Sequence, residues 1–193
     1  MPLAIAIIEN EHRAFAAVLH GLLYVVEQAR KHGEDVDFRL LAAMLDYIEA
    51  FPEKQHHPKE DDYVFRILRC RDPAAAATLD ELEAQHRRSR EQIAHLRETL
   101  RAAEGDPSAF PAFAAAVHEY TDFSWAHMRK EEDEVLPRAE KALTAEDWQE
   151  IDAAFRSNDD PLIGVDAQKE MRELFRRVIN LAPVPIGLGP ERQ

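Results

Sequence analysis

The chain has 193 residues, 46% of them hydrophobic, which suits one domain with a single sizeable core and a small addition. A formal net charge of −13 makes phosphate a poor partner, so nucleic acid and anionic membranes are disfavoured. The one cysteine, Cys70, excludes an internal disulfide and any cysteine-based zinc or iron–sulfur site, and it reads as a buried, inert thiol.

Six glycines against abundant Ala, Leu, Glu and Arg favour helix over strand. Met1 to Ile8 is apolar but lacks the basic residues and cleavage pattern of a signal peptide. No stretch approaches the roughly 20 apolar residues that cross a bilayer, so the expected location is the cytoplasm. The first helix is predicted over about 3–31. Ile5, Ile8, His12, Phe15, Leu19 and Leu23 share one face, and His32-Gly33 forms the stop. The second runs over about 37–69, with Asp35 or Asp37 as N-cap and Leu41, Leu45, Ile48, Val64 and Ile67 on its inner face. Pro52 and Pro58 each remove a backbone donor, which predicts a bend near its middle.

Asp72-Pro73 opens the third helix and Asp106-Pro107 the fourth, each an N-cap followed by proline at the first helical position. Leu79, Leu82, His86, Ile93 and Leu100 share a face of the third, which Gly105 closes. Tyr120, Phe123, His127 and Val135 line up on the fourth, which extends to about 143. Short connections force antiparallel neighbours, so the expected fold is all-α, an up-down-up-down four-helix bundle over 1–143. The remainder, 144–193, reads as a helical extension packed on the bundle. Thr144-Ala145-Glu146-Asp147 resembles a capping box that opens a short helix through Phe155. Asn158 to Pro161 reads as a turn, Asp166 as the cap of a last helix through Leu181, and Pro183 to Pro190 as an extended tail.

Helix geometry sorts the nine histidines. Residues nine apart lie on opposite faces, so if His86 and His127 point inward, His95 and His118 point to solvent. His20 sits towards the flank, about 80° from His12, and His32 lies at a helix end. One inward histidine per helix remains: His12, His56, His86 and His127, with His57 a fifth candidate. Glu60 follows His56 by four residues and Glu131 follows His127 by four, which places imidazole and carboxylate side by side. The second and fourth helices would be diagonal partners, and carboxylates from both can bridge two cations. Four imidazoles and two carboxylates in a dry core suit iron, manganese or zinc. Left without metal, these groups would carry a large desolvation penalty.

The segments Glu11-His12, His56-His57-Pro58-Lys59-Glu60, His86 and His127-Met128-Arg129-Lys130-Glu131-Glu132, followed by Glu134-Val135-Leu136-Pro137, resemble hemerythrin-like proteins with the HHE cation-binding domain. The likeness covers about 1–143 and is nearest to a six-ligand bacterial form. Leu143 to Trp148 and Asp160-Pro161-Leu162 also look like tails of bacterial members. The resemblance implies a non-haem di-iron centre bridged by two carboxylates and an oxo or hydroxo group. It implies His12, His56, Glu60, His86, His127 and Glu131 as ligands. Members of the family bind oxygen, sense oxygen or iron, respond to nitric oxide or help repair iron centres. The implied partner is therefore a small diatomic or peroxide ligand, and a metal-binding role fits better than a dedicated enzyme. Oxygen carriers of the family place a second histidine where this chain has Arg90, and they use a longer histidine-to-aspartate spacing on the last helix. Both departures count against reversible oxygen carriage. His57, Glu9 or Glu83 would be further ligands. The competing reading is a ferritin-like iron oxidase or peroxidase, on the Glu-x-x-His matches Glu9 with His12, Glu53 with His56 and Glu83 with His86.

Overall fold

The computed structural model describes residues 2–32 and 36–156, and every regular element among them is helical. Helix α1 spans Leu3–His32 and buries Ile5, Ile8, His12, Phe15 and Leu19 at three- and four-residue spacing. Helix α2 (Phe38–Ala50) begins at Asp37, whose carboxylate accepts from the backbone N–H groups of Arg39 and Leu40, both at 3.1 Å. The Asp-Pro starts act as expected. Asp72 accepts from the N–H of Ala74 at 3.2 Å, and Asp106 from that of Ser108 at 2.9 Å. Each cap leads through one tight turn into a long helix, α5 (Ala76–Gly105) and α6 (Phe110–Lys130).

The second bundle helix is not uniform. After α2 it widens into a π turn over Pro52–His56 and passes through α3 (His57–Lys59). It widens again over Glu60–Phe65 and ends as α4 (Arg66–Arg71). The fourth helix widens over Glu131–Val135 before α7 (Leu136–Ala142). Proline explains two of these turns. Pro58 and Pro137 have no N–H for the carbonyl four residues back, and their rings push that carbonyl aside. Those carbonyls belong to Lys54 and Asp133, inside the widened turns. The sequence predicted the disturbance at the prolines of the second helix but not the one in the fourth.

Around the bundle, α1 packs beside α2 and α6, and α5 packs beside the same two. The second and fourth helices are therefore diagonal. The core falls into two apolar clusters. One is built around Leu19, Met44, Leu96 and Phe113, the other around Ile8, Val64, Leu79 and Leu136. The widened turns and their polar side chains lie between the two. Helix α8 (Ala145–Arg156) opens on a reciprocal cap: Asp147 N–H donates to Thr144 Oγ1 at 3.3 Å, and Thr144 N–H to Asp147 at 2.9 Å. It buries Trp148, Ile151 and Phe155 in the second cluster, and Asp152 accepts from the N–H of Ala4 at 2.8 Å. Gly33, Asp35, the Asn158–Pro161 turn, the helix expected from Asp166 and the proline-rich tail lie outside the described residues.

One expectation is overturned: Cys70 is exposed. The inward arc of α4 is taken by Ile67 and Leu68, and Cys70 lies about 200° around the helix from Leu68.

Candidate metal centre

Each bundle helix delivers one imidazole to the layer between the apolar clusters. His12 comes from α1, His56 from the first widened turn, His86 from α5 and His127 from α6, and all are buried. They form two pairs. The Nε2 atoms of His12 and His56 are 3.1 Å apart, as are those of His86 and His127. Each carboxylate reaches both pairs. Glu60 Oε1 lies 3.2 Å from His56 Nε2, while its Oε2 lies 3.6 Å from His86 Nε2. Glu131 Oε2 lies 3.3 Å from His12 Nε2, and its Oε1 lies 3.3 Å from His127 Nε2. The structure thus brings all six sequence-predicted residues into one cluster. Glu60 and Glu131 each open a widened turn, a backbone feature common at functional sites.

A seventh side chain joins them. The His57 ring stacks on His86 with centroids 4.3 Å apart, and its donor atom groups with those of Glu60, His86 and His127 within 4.8 Å. His12, His56 and Glu60 form the other such group, so Glu60 belongs to both.

The far nitrogen of each paired histidine is held by a residue from the preceding helix around the bundle. His56 Nδ1 meets Glu11 at 2.6 Å, and His86 Nδ1 meets Asp61 at 2.8 Å. His127 Nδ1 meets the Gln85 amide oxygen at 2.9 Å, and His12 Nδ1 meets Glu132 at 2.8 Å, which closes the ring. Every one of these partners is next in sequence to a cluster residue. Donation from Nδ1 fixes the tautomer and leaves the Nε2 lone pair facing inward.

Burial pushes each of these groups towards its neutral form. It opposes protonation of His12, but Glu131 and Glu132 prevail and lift this imidazole to about 9. It likewise opposes protonation of His86, which Asp61 and Glu131 lift to about 10. His56 also ends well above the ordinary range, through Glu60 and Glu11. His127 has no carboxylate on its far side, and burial takes it down to about 4. Burial, with the imidazoles of His86 and His127, holds His57 well below the usual value. Glu60 is raised by burial and by the charge of Glu131. Glu131 is held well below the usual carboxylate range, because His127, His12 and His86 together outweigh its burial.

Two carboxylates at the centre of a core repel each other, and Glu60 Oε2 and both oxygens of Glu131 accept no hydrogen bond although the residues are 2% and 1% exposed. Orphaned acceptors this deep carry a desolvation cost that a cation would remove. Imidazole nitrogen and carboxylate oxygen suit iron, manganese or zinc, so the donor set fits a metal.

The remaining candidates lie outside the six-residue set, although Glu53 comes within 3.6 Å of His57 Nδ1. Glu83 pairs with Arg69 at 2.7 Å, and buried Glu53 accepts from the Ser89 hydroxyl; burial raises its carboxyl to about 7. Neither they nor Glu9 belong to the donor groups found among the described residues. His20, His95 and His118 are exposed, as is Arg90. The sequence reading assigned no role to Glu11, Asp61, Gln85 or Glu132. It also missed Phe155 of α8, whose ring meets His56 edge-on at 6.4 Å.

No curated protein and no solved structure shows a significant match to the chain. A family model does match: residues 3–139 fit the hemerythrin HHE cation-binding domain. That span covers most of the chain and contains every residue of the donor cluster, so the chain belongs to the hemerythrin HHE cation-binding family.

Proposed function

We propose that His12, His56, Glu60, His86, His127 and Glu131 hold two iron ions, with Glu60 and Glu131 shared between them and His57 as a further donor beside His86 and His127. The observation that carries this reading is the pairing of the imidazoles. Two Nε2 pairs stand on either side of two carboxylates, and each carboxylate presents an oxygen to both pairs. The metal-binding unit on this reading is 1–143, with 144–193 as an extension. The bound ions supply Lewis-acid and redox chemistry towards a small diatomic or peroxide ligand. The role is that of a protein that binds or responds to oxygen, nitric oxide, peroxide or iron itself. The chain's own part is to exclude water with two apolar clusters and to hold each imidazole in one tautomer.

Elemental analysis of the purified protein tests this directly. Two iron ions per chain are expected, with absorption bands that change on exposure to nitric oxide or peroxide. One ion per chain, or a full complement of zinc with no response to either ligand, would overturn the reading.

A further inference from the structure

A groove of about 440 Å³ runs between α1 and α6 and reaches His12 at the edge of the cluster. Its walls are stripes at helical spacing, His12, Ala16 and His20 on one side, Trp125, Met128 and Glu132 on the other. His12 meets Glu132 at one end at 2.8 Å, and His20 packs on Trp125 at the other with ring centroids 4.8 Å apart. Arg13 and Arg129 also line the groove, and both are exposed.

Among the described residues, arginines divide into those paired with a carboxylate and those that are not, and Arg13 and Arg129 belong to the second group with Arg87, Arg90, Arg101 and Arg156; of these, Arg13 and Arg129 share a groove with Trp125. Arg66, Arg69, Arg71, Arg88, Arg97 and Arg138 each pair with a carboxylate. Among the described residues, Arg13 and Arg129 form no ion pair. Each spends its Nε on a backbone carbonyl of its own helix, Arg13 on Glu9 at 3.0 Å and Arg129 on Trp125 at 3.3 Å. Arg13 acts on Glu132 only from a distance, and Glu132 is already bonded to His12. In a protein of net charge −13, two exposed guanidiniums without an ion pair beside an apolar wall outweigh the one carboxylate in the groove, Glu132, and favour an anion with an apolar body.

We propose that this groove binds a small aromatic carboxylate. The carboxylate takes the forks of Arg13 and Arg129, and the ring lies against Trp125, Met128 and Ala16. A guanidinium matches a carboxylate with two parallel hydrogen bonds, and an indole face takes a flat apolar body. The volume lies within the roughly 300–1,000 Å³ of small-molecule sites and exceeds what a diatomic ligand fills. A ligand held there touches the outer side of the site through Glu132, the partner that holds His12. The binding itself does not depend on the identity or number of the ions, so this inference and the proposed function fail separately.

The chain has two tryptophans, and Trp148 is buried on the inner face of α8, so Trp148→Phe leaves Trp125 as the fluorescent reporter in the groove. Benzoate, titrated at constant ionic strength, is expected to give a saturable change in Trp125 emission. Benzyl alcohol, of similar shape without the charge, should bind at least roughly tenfold more weakly, and so should benzoate on an Arg13→Ala, Arg129→Ala double variant. Both arginines are exposed, and circular dichroism of the variant should match the parent. Equal binding of benzoate and benzyl alcohol would overturn the proposal, as would unchanged affinity in the folded double variant. Absence of any saturable change at millimolar benzoate would overturn it as well.

Discussion

The two halves of the histidine cluster share one plan and differ in one outer partner and one added ring. In the half built on His12 and His56, both far nitrogens are held by carboxylates, Glu132 and Glu11. In the half built on His86 and His127, one holder is Asp61 and the other the neutral amide of Gln85. The consequence is large. His12 stands at about 9 and His86 at about 10, whereas His127 falls to about 4. Burial opposes charge at all three; His12 is lifted by Glu131 and Glu132 and His86 by Asp61 and Glu131, whereas His127 has Glu131 alone against its burial and the neighbouring imidazoles of His86, His12 and His56. The second half also gains a third ring, that of His57, stacked on His86. One half is thus rich in charge, and the other has more donors.

The largest expected effect comes from the residues that belong to both halves. Two divalent ions about 4 Å apart repel by about 16 kcal/mol at an effective dielectric near 20. A shared carboxylate attracts both ions at once, whereas a histidine serves one and a water can partly replace it. Glu60→Ala or Glu131→Ala is therefore expected to lower metal content from two ions per chain to one or none. His12→Ala should leave a partly filled centre, and helicity by circular dichroism should hold in all three. If both glutamate variants kept two ions while His12→Ala lost them, the carboxylates would be terminal groups, and the comparison would rest on the histidines alone.

Much of this plan was legible in the chain, for identifiable reasons. The Asp-Pro starts at Asp72 and Asp106 and the apolar stripes set the helix count and phase. Phase in turn separated His86 from His95 and His127 from His118. The ring of outer partners was not legible. Glu11 serves His56, and Glu132 serves His12, across helix boundaries that no local pattern encodes. His57 was legible only as a fifth candidate, since in a 3.6-residue period consecutive residues differ by about 100°. The widened turn ending at His56 relaxes that period, and both rings end up buried. Cys70 failed as a buried thiol because composition says how often a cysteine is buried and not which arc of α4 it occupies.

Protons give the next test. Before a cation binds, His12 at about 9 and His86 at about 10 are protonated at neutral pH, and a cation needs their Nε2 lone pairs. Uptake should therefore release protons at neutral pH. Apparent affinity should rise with pH as His12, His86 and His56, all held above the ordinary imidazole range, lose their protons. An indicator-dye titration in weak buffer measures the release. His127, neutral already, should contribute none. Release that is unchanged in a His12→Ala variant would mean that the charge difference between the halves is not set as described.

A smaller effect should follow from making the two halves alike. Gln85→Glu gives His127 the carboxylate partner that the other three already have. Its pKa should rise, read from the imidazole signals by NMR in metal-free protein. The reverse change, Glu132→Gln, should lower that of His12 and weaken metal binding by roughly 10- to 100-fold, as loss of such supporting partners does elsewhere. If His127 stayed neutral in Gln85→Glu, burial rather than the outer partner would be the cause of the contrast.

The smallest effect is expected from histidines that belong to neither half. His20, His95 and His118 are all exposed. His118 pairs with Glu27 at 2.9 Å, and His20 rests on Trp125, so each has a surface role that owes nothing to the cluster. Replacing all three with glutamine should leave metal content per chain unchanged and move the melting temperature by no more than about 5 °C, since exposed substitutions cost little. The triple variant is a sharp control on helix phase. His95 and His118 lie nine residues from His86 and His127, so a single register error in α5 or α6 would exchange inner for outer histidines. Metal loss in the triple variant would reveal that exchange. Retained metal would confine the centre to the residues between the two apolar clusters, where every donor the two halves need is already buried.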